Sequence, residues 1–370
     1  YAGLLYAASH GASVVNLSWG GTFRSEIAQD LVNYVALDLD CLIVASAGNN
    51  GTEEATYPAA FDNVLSVAAT TSSDQRASFS NYGGTVDISA PGASIITTAF
   101  DNSFTSINGT SFSSPIVAGA AALVRQKFPN LSAVEAAEQI RVTADESFYS
   151  VNGTLLNRLL GKGRLDIVRA LTETLPSVRV SNPKLVNSSG SSPEPGQDSF
   201  LSLDFTNYLA STSADLKVTI KPTVPGLITL TKATVNPGRV ETGKKFNNKL
   251  NPFAFKLSSS ITTNTTLTLL ITFEDGNYND YQYVSFLLNP TYIDVDENEI
   301  ITTVASNGRL GYENPNTGTN GVGFNFGENS MLYEMGIIAG SSVSNLYNNV
   351  RAASGFDQDF TIIDKIREVT

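Results

Sequence analysis

A chain of 370 residues is too long for one ordinary hydrophobic core, so two or three domains are expected. Its 23 basic against 35 acidic residues leave a net charge of −12, which argues against nucleic acid or an anionic membrane as partner. No apolar run approaches the ~20 residues that cross a bilayer, and a single cysteine excludes an internal disulfide framework.

The chain opens on a helical pattern over residues 2–9, and "SVVNLS" follows as a continuous apolar run of strand length. An opening inside an element, at Tyr1 with no Met or polar lead-in, suggests the interior of a longer protein, so a missing leader carries no conclusion about export. "SEIAQDLVNYVALD" sets Ile27, Leu31, Tyr34 and Val35 on one helical face. "LIVASA" and "NVLSVAAT" are buried strands, with Cys41 just ahead of the first as an inert core thiol; "TVDISA" and "SIITTA" are shorter strands. A helix of small residues runs from about 111 to 127, and another from about 132 to 144. The second opens on Ser132 with Glu135 three residues on, a capping-box pattern. Apolar strands without alternation, separated by helices, predict an α/β domain over 1–172: a mostly parallel sheet with helices on both faces.

Around "LPSVRVSNPKLVNSSGSSPEPGQ" the composition shifts to Ser, Pro and Gly, as in a linker. "SFLSLDF", "DLKVTIKP", "PFAFKLS", "TLTLLITFED" and "DYQYVSFLL" then follow as strands between turns. About seven short strands over 173–290 suggest an immunoglobulin-like β-sandwich. Residues 291–370 look like part of a further β-rich domain, cut short. Seven N-x-[ST] sequons, at Asn16, Asn50, Asn108, Asn130, Asn152, Asn187 and Asn264, fit chance Asn/Ser/Thr richness better than glycosylation.

In an open α/β sheet, ligands gather beyond the carboxyl ends of the strands. Three loops fall there: Trp19–Gly21, Gly48–Gly51, and the turn "NGTS" that delivers Ser111 to its helix. A side-chain amide such as Asn49 can donate to a developing oxyanion, and a helix N-terminus stabilises negative charge, so the set suggests acyl transfer. The bland alternative makes Ser111 a helix N-cap, the usual task of such a serine. The G-x-S-x-G elbow of α/β-hydrolases is excluded, because Ser113 stands two places after Ser111.

The combination resembles the subtilisin-like serine peptidases (subtilases). "GTSFSSP" is similar to that family's nucleophile box, "VVNLSWGG" to its substrate-binding strand and loop, and "ASAGNNG" to its oxyanion loop. "YPAAFDNVLSVAAT", "ASFSNYGGTVDISAPG" and "GKGRLD" follow in the family's order, so the resemblance covers residues 1 to about 172. It implies a serine endopeptidase, in an extracellular or cell-surface setting, acting on polypeptides. Ser111 would be the nucleophile, and Asn49 and the Ser111 amide the oxyanion donors. Ser18, Trp19 and Gly20 would form one wall of the pocket for the residue preceding the cut bond, Ala47 and Gly48 the other, with Thr56 near the base. It also implies a cis bond between Tyr57 and Pro58. Phe112, Ile116 and Trp19 depart from the usual residues, the last being bulky enough to narrow the pocket mouth.

The family's triad runs Asp, His, Ser, and its first two members would precede Tyr1. His10, in "SHGAS", closes a helix with Gly11 as cap, where an imidazole suits the negative end of the helix dipole, and is expected to be structural. The fragment alone is therefore expected to be inactive, and the rival reading is a subtilase-like scaffold that has become a surface binding module. No cofactor is called for. The acidic stretches "DVDENE" (294–299) and "DQD" (357–359) are weak candidates for calcium, solvated acidic turns being commoner, and no Cys/His cluster suits zinc.

Overall fold

The computed structural model describes residues 1–153, 156, 158–297, 300–306, 308–312, 321–326, 329–332, 334–336, 338–342 and 345–348. Helix α1 (Ala2–Ser9) leads to strand β1 (Val14–Leu17), and α2 (Glu26–Asn33) runs on through a π-turn, Tyr34–Asp38, to β2 (Leu42–Ser46). β3 (Val64–Thr70) and β4 (Ile88–Pro91) complete a parallel sheet in the order β1-β2-β3-β4. β2 is buried along its whole length, and its alternate residues serve two cores. Leu42 and Val44 pack with Val117, Val124 and Ile140, whereas Ile43 and Ala45 pack with Leu4, Val32 and Val35. That is why the strand shows no polar alternation: both faces lie under helices, as the sequence predicts.

Helix α3 (Thr110–Lys127) and α4 (Ala133–Val142) cover the first face. Ser132 and Glu135 form the expected capping box. The expected face of α2 holds in half: Val35 is buried and Leu31 packs partly buried against the core. Ile27 and Tyr34 are exposed, and Ala28, Val32, Val35 and Ala36 are buried at the same spacing. Small Ala28 and Ala36 let the helix approach the strands, and the buried Gln29 amide bonds both the N–H and the carbonyl of Asp62. "SIITTA" is a strand, β5 (Ile95–Thr98), but outside the parallel sheet: it forms an antiparallel hairpin with the unanticipated β6 (Phe104–Ile107). The short helices α5 (Tyr149–Asn152) and α6 (Ile167–Thr172) were also unanticipated.

The stretch expected to be a linker contains a nine-residue strand, β7 (Val178–Val186), paired with β8 (Asp198–Asn207). Its Ser, Asn and Pro residues fall at a bulge between Ser181 and Lys184, where Asn182 takes φ 49° and Pro183 needs no ladder hydrogen bond. β9 (Lys217–Pro222), β10 (Ile228–Lys232), β11 (Thr234–Val235), β12 (Lys245–Asn247), β13 (Phe253–Leu257), β14 (Thr265–Asp275) and β15 (Tyr278–Leu288) follow. They form two sheets, one in the order β10-β13-β8-β12 with β7 on β8, the other β11-β9-β14-β15. A single core holding Phe205, Phe253, Phe255 and Phe273 joins the two sheets. Nine strands thus stand where about seven were expected. Beyond them β16 (Tyr292–Glu297) pairs with β17 (Ile300–Ala305). "DVDENE" lies largely on β16 rather than on a turn, with Asp294 accepting from Thr303; its Asn298 and Glu299, and all of "DQD", lie outside the described residues.

The β module is fastened to the α/β part by buried charge. Arg141 of α4 makes a two-pronged bond to Asp280 of β15 at 2.8 and 2.6 Å, and holds Glu138 at 2.7 Å. Lys162 donates to the Asn279 carbonyl and Tyr281 to the Gly161 carbonyl, each at 2.6 Å. Beside this seam, under the ends where β2, β3 and β4 begin, lies a cleft of about 910 Å³ lined by Asp62, Asp87, Glu138, Arg179 and Gln282. Burial pushes the Asp87 carboxyl up to about 6, against the pull of Arg179 and of its bond from the Ser66 N–H. A raised carboxyl pKa contributes stability that is complete below its ordinary value and lost as pH rises through about 6. Asp87→Asn is therefore expected to gain in melting temperature over the native chain between pH 4 and 7. A constant difference across that range in a series of thermal melts would contradict this.

Candidate active site

The site lies at the opposite end of the sheet, beyond the carboxyl ends of β1 and β2. Ser111, half-buried, is in the first turn of α3. It is not the N-cap: that position is Gly109, and no side chain caps the helix. Ser111 Oγ instead lies 3.4 Å from the Ser18 carbonyl, and Ser18 Oγ donates to the Ser111 carbonyl at 2.9 Å. Asn16 extends the tie, donating to Ser18 Oγ at 2.9 Å and accepting from Ser114 Oγ at 2.5 Å. The end of β1 and the start of α3 are thus stitched together around one hydroxyl.

Asn49 follows β2 and is exposed. Its Oδ1 accepts from both the N–H and the Oγ1 of Thr110, each at 2.9 Å. A backbone N–H can only donate, so the amide's orientation is determined: oxygen inward, Nδ2 outward. Among the described residues Nδ2 has no acceptor, and neither has the Ser111 N–H, one of the free donors of the first helical turn. Two donors therefore stand ready beside one serine hydroxyl.

The remaining predicted residues gather close by. Gly21 and Tyr57 exchange two backbone bonds of 2.9 and 2.7 Å, clamping the loop after β1 to the segment carrying Thr56, and the Tyr57–Pro58 bond is cis as expected. Thr56 stands between the two glycine walls. A Cβ on Gly20 would meet Thr56 Cγ2 at 2.6 Å, and one on Gly48 (φ 108°) would meet Thr56 Oγ1 at 2.7 Å. Neither wall has room for a side chain. Ala47 packs its methyl into a core with Val86, Phe148 and Leu160, so that its backbone is what borders the slot. Trp19, partly exposed, packs edge-on against Tyr1 with ring centroids 5.1 Å apart.

His10 is not part of this assembly. It caps α1 at the foot of β1, its Nδ1 2.7 Å from the Tyr6 carbonyl and its ring stacked on Tyr6 at 4.0 Å. A strand rising ~3.3 Å per residue separates it from the loop that Ser111 touches. Cys41 is fully buried, and desolvation pushes its thiol up to about 11, so it offers no competing nucleophile. Two residues of the site were not singled out for it in the sequence: Thr110 and Asn16. Each is a small polar residue whose role lies in a hydrogen bond to a distant segment, and only their place inside the quoted motifs marked them.

The model of the subtilase family of peptidases matches residues 2–163. Subtilisin BL of Lederbergia lenta is 42% identical over 142 residues, covering 38% of this chain and 52% of that protein. Thermitase of Thermoactinomyces vulgaris is 42% identical over 135 residues, covering 36% and 48%. A solved protease structure from Pseudoalteromonas arctica overlaps 46% of this chain and 56% of its own, at 26% identity and a TM-score of 0.42. The chain spans about half the length of the curated relatives it matches.

Proposed function

Residues 2–163 are a subtilisin-like peptidase domain of the subtilase family, and from that premise we propose that the chain is the nucleophile-bearing part of a serine endopeptidase. The observation that carries this is the Thr110 lock on Asn49, which aims an amide N–H outward beside Ser111. An extended polypeptide pairs with Ser18–Gly20 and places an uncharged side chain between Gly20 and Gly48, above Thr56. Ser111 Oγ attacks the carbonyl carbon as an imidazole takes its proton. The carbonyl oxygen becomes an anion held by Asn49 Nδ2 and the Ser111 N–H. Collapse expels the amine, protonated by the same imidazole, and water then hydrolyses the acyl-serine. No cofactor enters this scheme.

The imidazole and its orienting carboxylate are expected from sequence preceding Tyr1, since the one histidine of the chain is engaged elsewhere. We read the two sheets over 178–288 as an immunoglobulin-type accessory module and place the protein outside the cell or on its surface, in keeping with such an appendage. The test is covalent labelling. The complete protein should react with a fluorophosphonate at Ser111 and cleave peptides, and Ser111→Ala should do neither. The 370-residue chain alone should also do neither. A native protein that lacks a further His and Asp, and is unlabelled, would instead support the non-enzymatic scaffold.

A further inference from the structure

The stretch "ASFSNYGG" contributes no group to the chemistry above, yet it contains one of the best-connected side chains of the site region. Asn81 is 1% exposed and spends all four hydrogen-bonding positions of its amide on one loop. Its Oδ1 accepts from the Asn50 N–H at 2.8 Å and the Thr52 N–H at 3.4 Å. Its Nδ2 donates to the Glu54 carbonyl at 3.3 Å and to Thr56 Oγ1 at 3.2 Å. Its own N–H donates to the Gly48 carbonyl at 3.0 Å.

The base from which Asn81 reaches is itself rigid. Ser80 Oγ accepts from the Ala69 N–H of β3 and donates to the Asn81 carbonyl, both at 2.9 Å. Arg76 closes the turn from the other side, donating to the Ser80 carbonyl at 2.6 Å. The loop that Asn81 holds runs from Gly48 to Thr56. One end carries Asn49, the other the floor of the slot; between them Asn50 Nδ2 donates to Glu54, the Gly51 N–H donates to the Phe79 carbonyl and the Thr52 carbonyl accepts from the Tyr82 N–H.

We propose that Asn81 is a positioning residue that sets two parts of the site from one buried amide: its oxygen places the oxyanion donor Asn49, and its nitrogen places Thr56 at the base of the substrate slot. The inference rests on the peptidase reading, but its two arms are separable by substitution. Asn81→Ala removes both arms. Asn81→Asp keeps an acceptor for the Asn50 and Thr52 amides and cannot, when ionised, donate to Glu54 or Thr56.

In the complete protein, Asn81→Ala is expected to lower kcat by ~10-fold to ~100-fold and to raise KM, because a displaced catalytic group loses its alignment. Asn81→Asp is expected to hold kcat within about threefold of native while KM rises, the donor being still in place. The same split should appear without turnover. Amide hydrogen exchange at Asn50 and Thr52 should quicken in the Ala variant and stay native-like in the Asp variant. Two variants with the same kcat and KM pattern, falling in proportion to lost folded protein, would reduce Asn81 to a stability role and overturn the proposal. So would unchanged kinetics in Asn81→Ala. If the native protein cleaves nothing, the peptidase reading fails and the exchange experiment alone decides: unaltered protection of Asn50 and Thr52 in Asn81→Ala overturns the coupling.

Discussion

Asn49→Ala in the complete protein is expected to lower kcat by ~10²–10³-fold with little change in KM, the magnitude established for the oxyanion asparagine of subtilisin itself. The geometry says why the loss should fall on kcat. Thr110 binds the Asn49 oxygen through two donors, so the –NH2 is fixed before any substrate arrives and need not reorganise as charge builds. A ground-state carbonyl gains little from it; the tetrahedral anion gains most. Thr110→Ala should give a smaller fall in kcat, since the Thr110 N–H still holds the oxygen when the hydroxyl is gone. Steady-state kinetics on one peptide substrate distinguishes the alternatives. An Asn49→Ala enzyme that keeps kcat and loses KM would assign the residue to ground-state binding.

Asp280→Ala is expected to destabilise the folded chain by about 3–5 kcal/mol, the range for stranding one member of a buried ion pair. Arg141 is 3% exposed, and with Asp280 gone its second prong has no anion. Glu138 remains on the other edge of the guanidinium, which places the effect within that range rather than beyond it. Replacing Arg141 and Asp280 together by Met and Leu should recover part of the loss: the orphaned cation is gone, and Glu138, deprived of Arg141, keeps Arg179 at 3.5 Å and the Ser177 hydroxyl. The acid limb follows from the same pair. Burial would raise the Asp280 carboxyl, but Arg141 outweighs it and holds the group down at about 2. A lowered carboxyl pKa contributes stability that is present above its ordinary value and lost as pH falls through about 2. Urea titrations from pH 5 downward should therefore show the native chain losing stability and converging on the double variant. Equal urea midpoints for Asp280→Ala and native at pH 7 would show the seam to be energetically idle.

What could be read from the sequence divides by physical cause. β2 and β3 were visible because strands buried on both faces are apolar without interruption, and α4 because its capping box lies within four residues. Ser111, Asn49 and Thr56 were singled out through local motifs, and the fold brings the segments that carry them together. The face of α2 was legible only in half, because the choice between Ile27 and Ala28 is made by how closely the helix approaches the sheet. β7 was hidden by Asn182 and Pro183, whose turn-like chemistry belongs to a bulge inside the strand. The direction of the Ala47 methyl was not legible at all, since the way a side chain turns at a strand exit is a three-dimensional property. Asn81 and Thr110 act at sequence distances of 31 and 61 residues, and nothing in a local pattern reports that.

The Arg141 seam also bears on how such a protein can be inherited and recombined. The partners of that guanidinium come from two modules, Glu138 from its own helix and Asp280 from the β sheets. A crossover between 172 and 173 would look harmless, since it falls outside both sets of strands, yet it would leave Arg141 without Asp280 wherever the incoming module has no carboxylate at that place. A peptidase domain that received such a module would carry a buried cation with half its countercharge missing. A β module moved onto a domain without the arginine would carry the matching orphan anion. Successful chimeras of this architecture should therefore travel with both residues or with neither, and a library shuffled at that junction should be depleted of clones that hold only one.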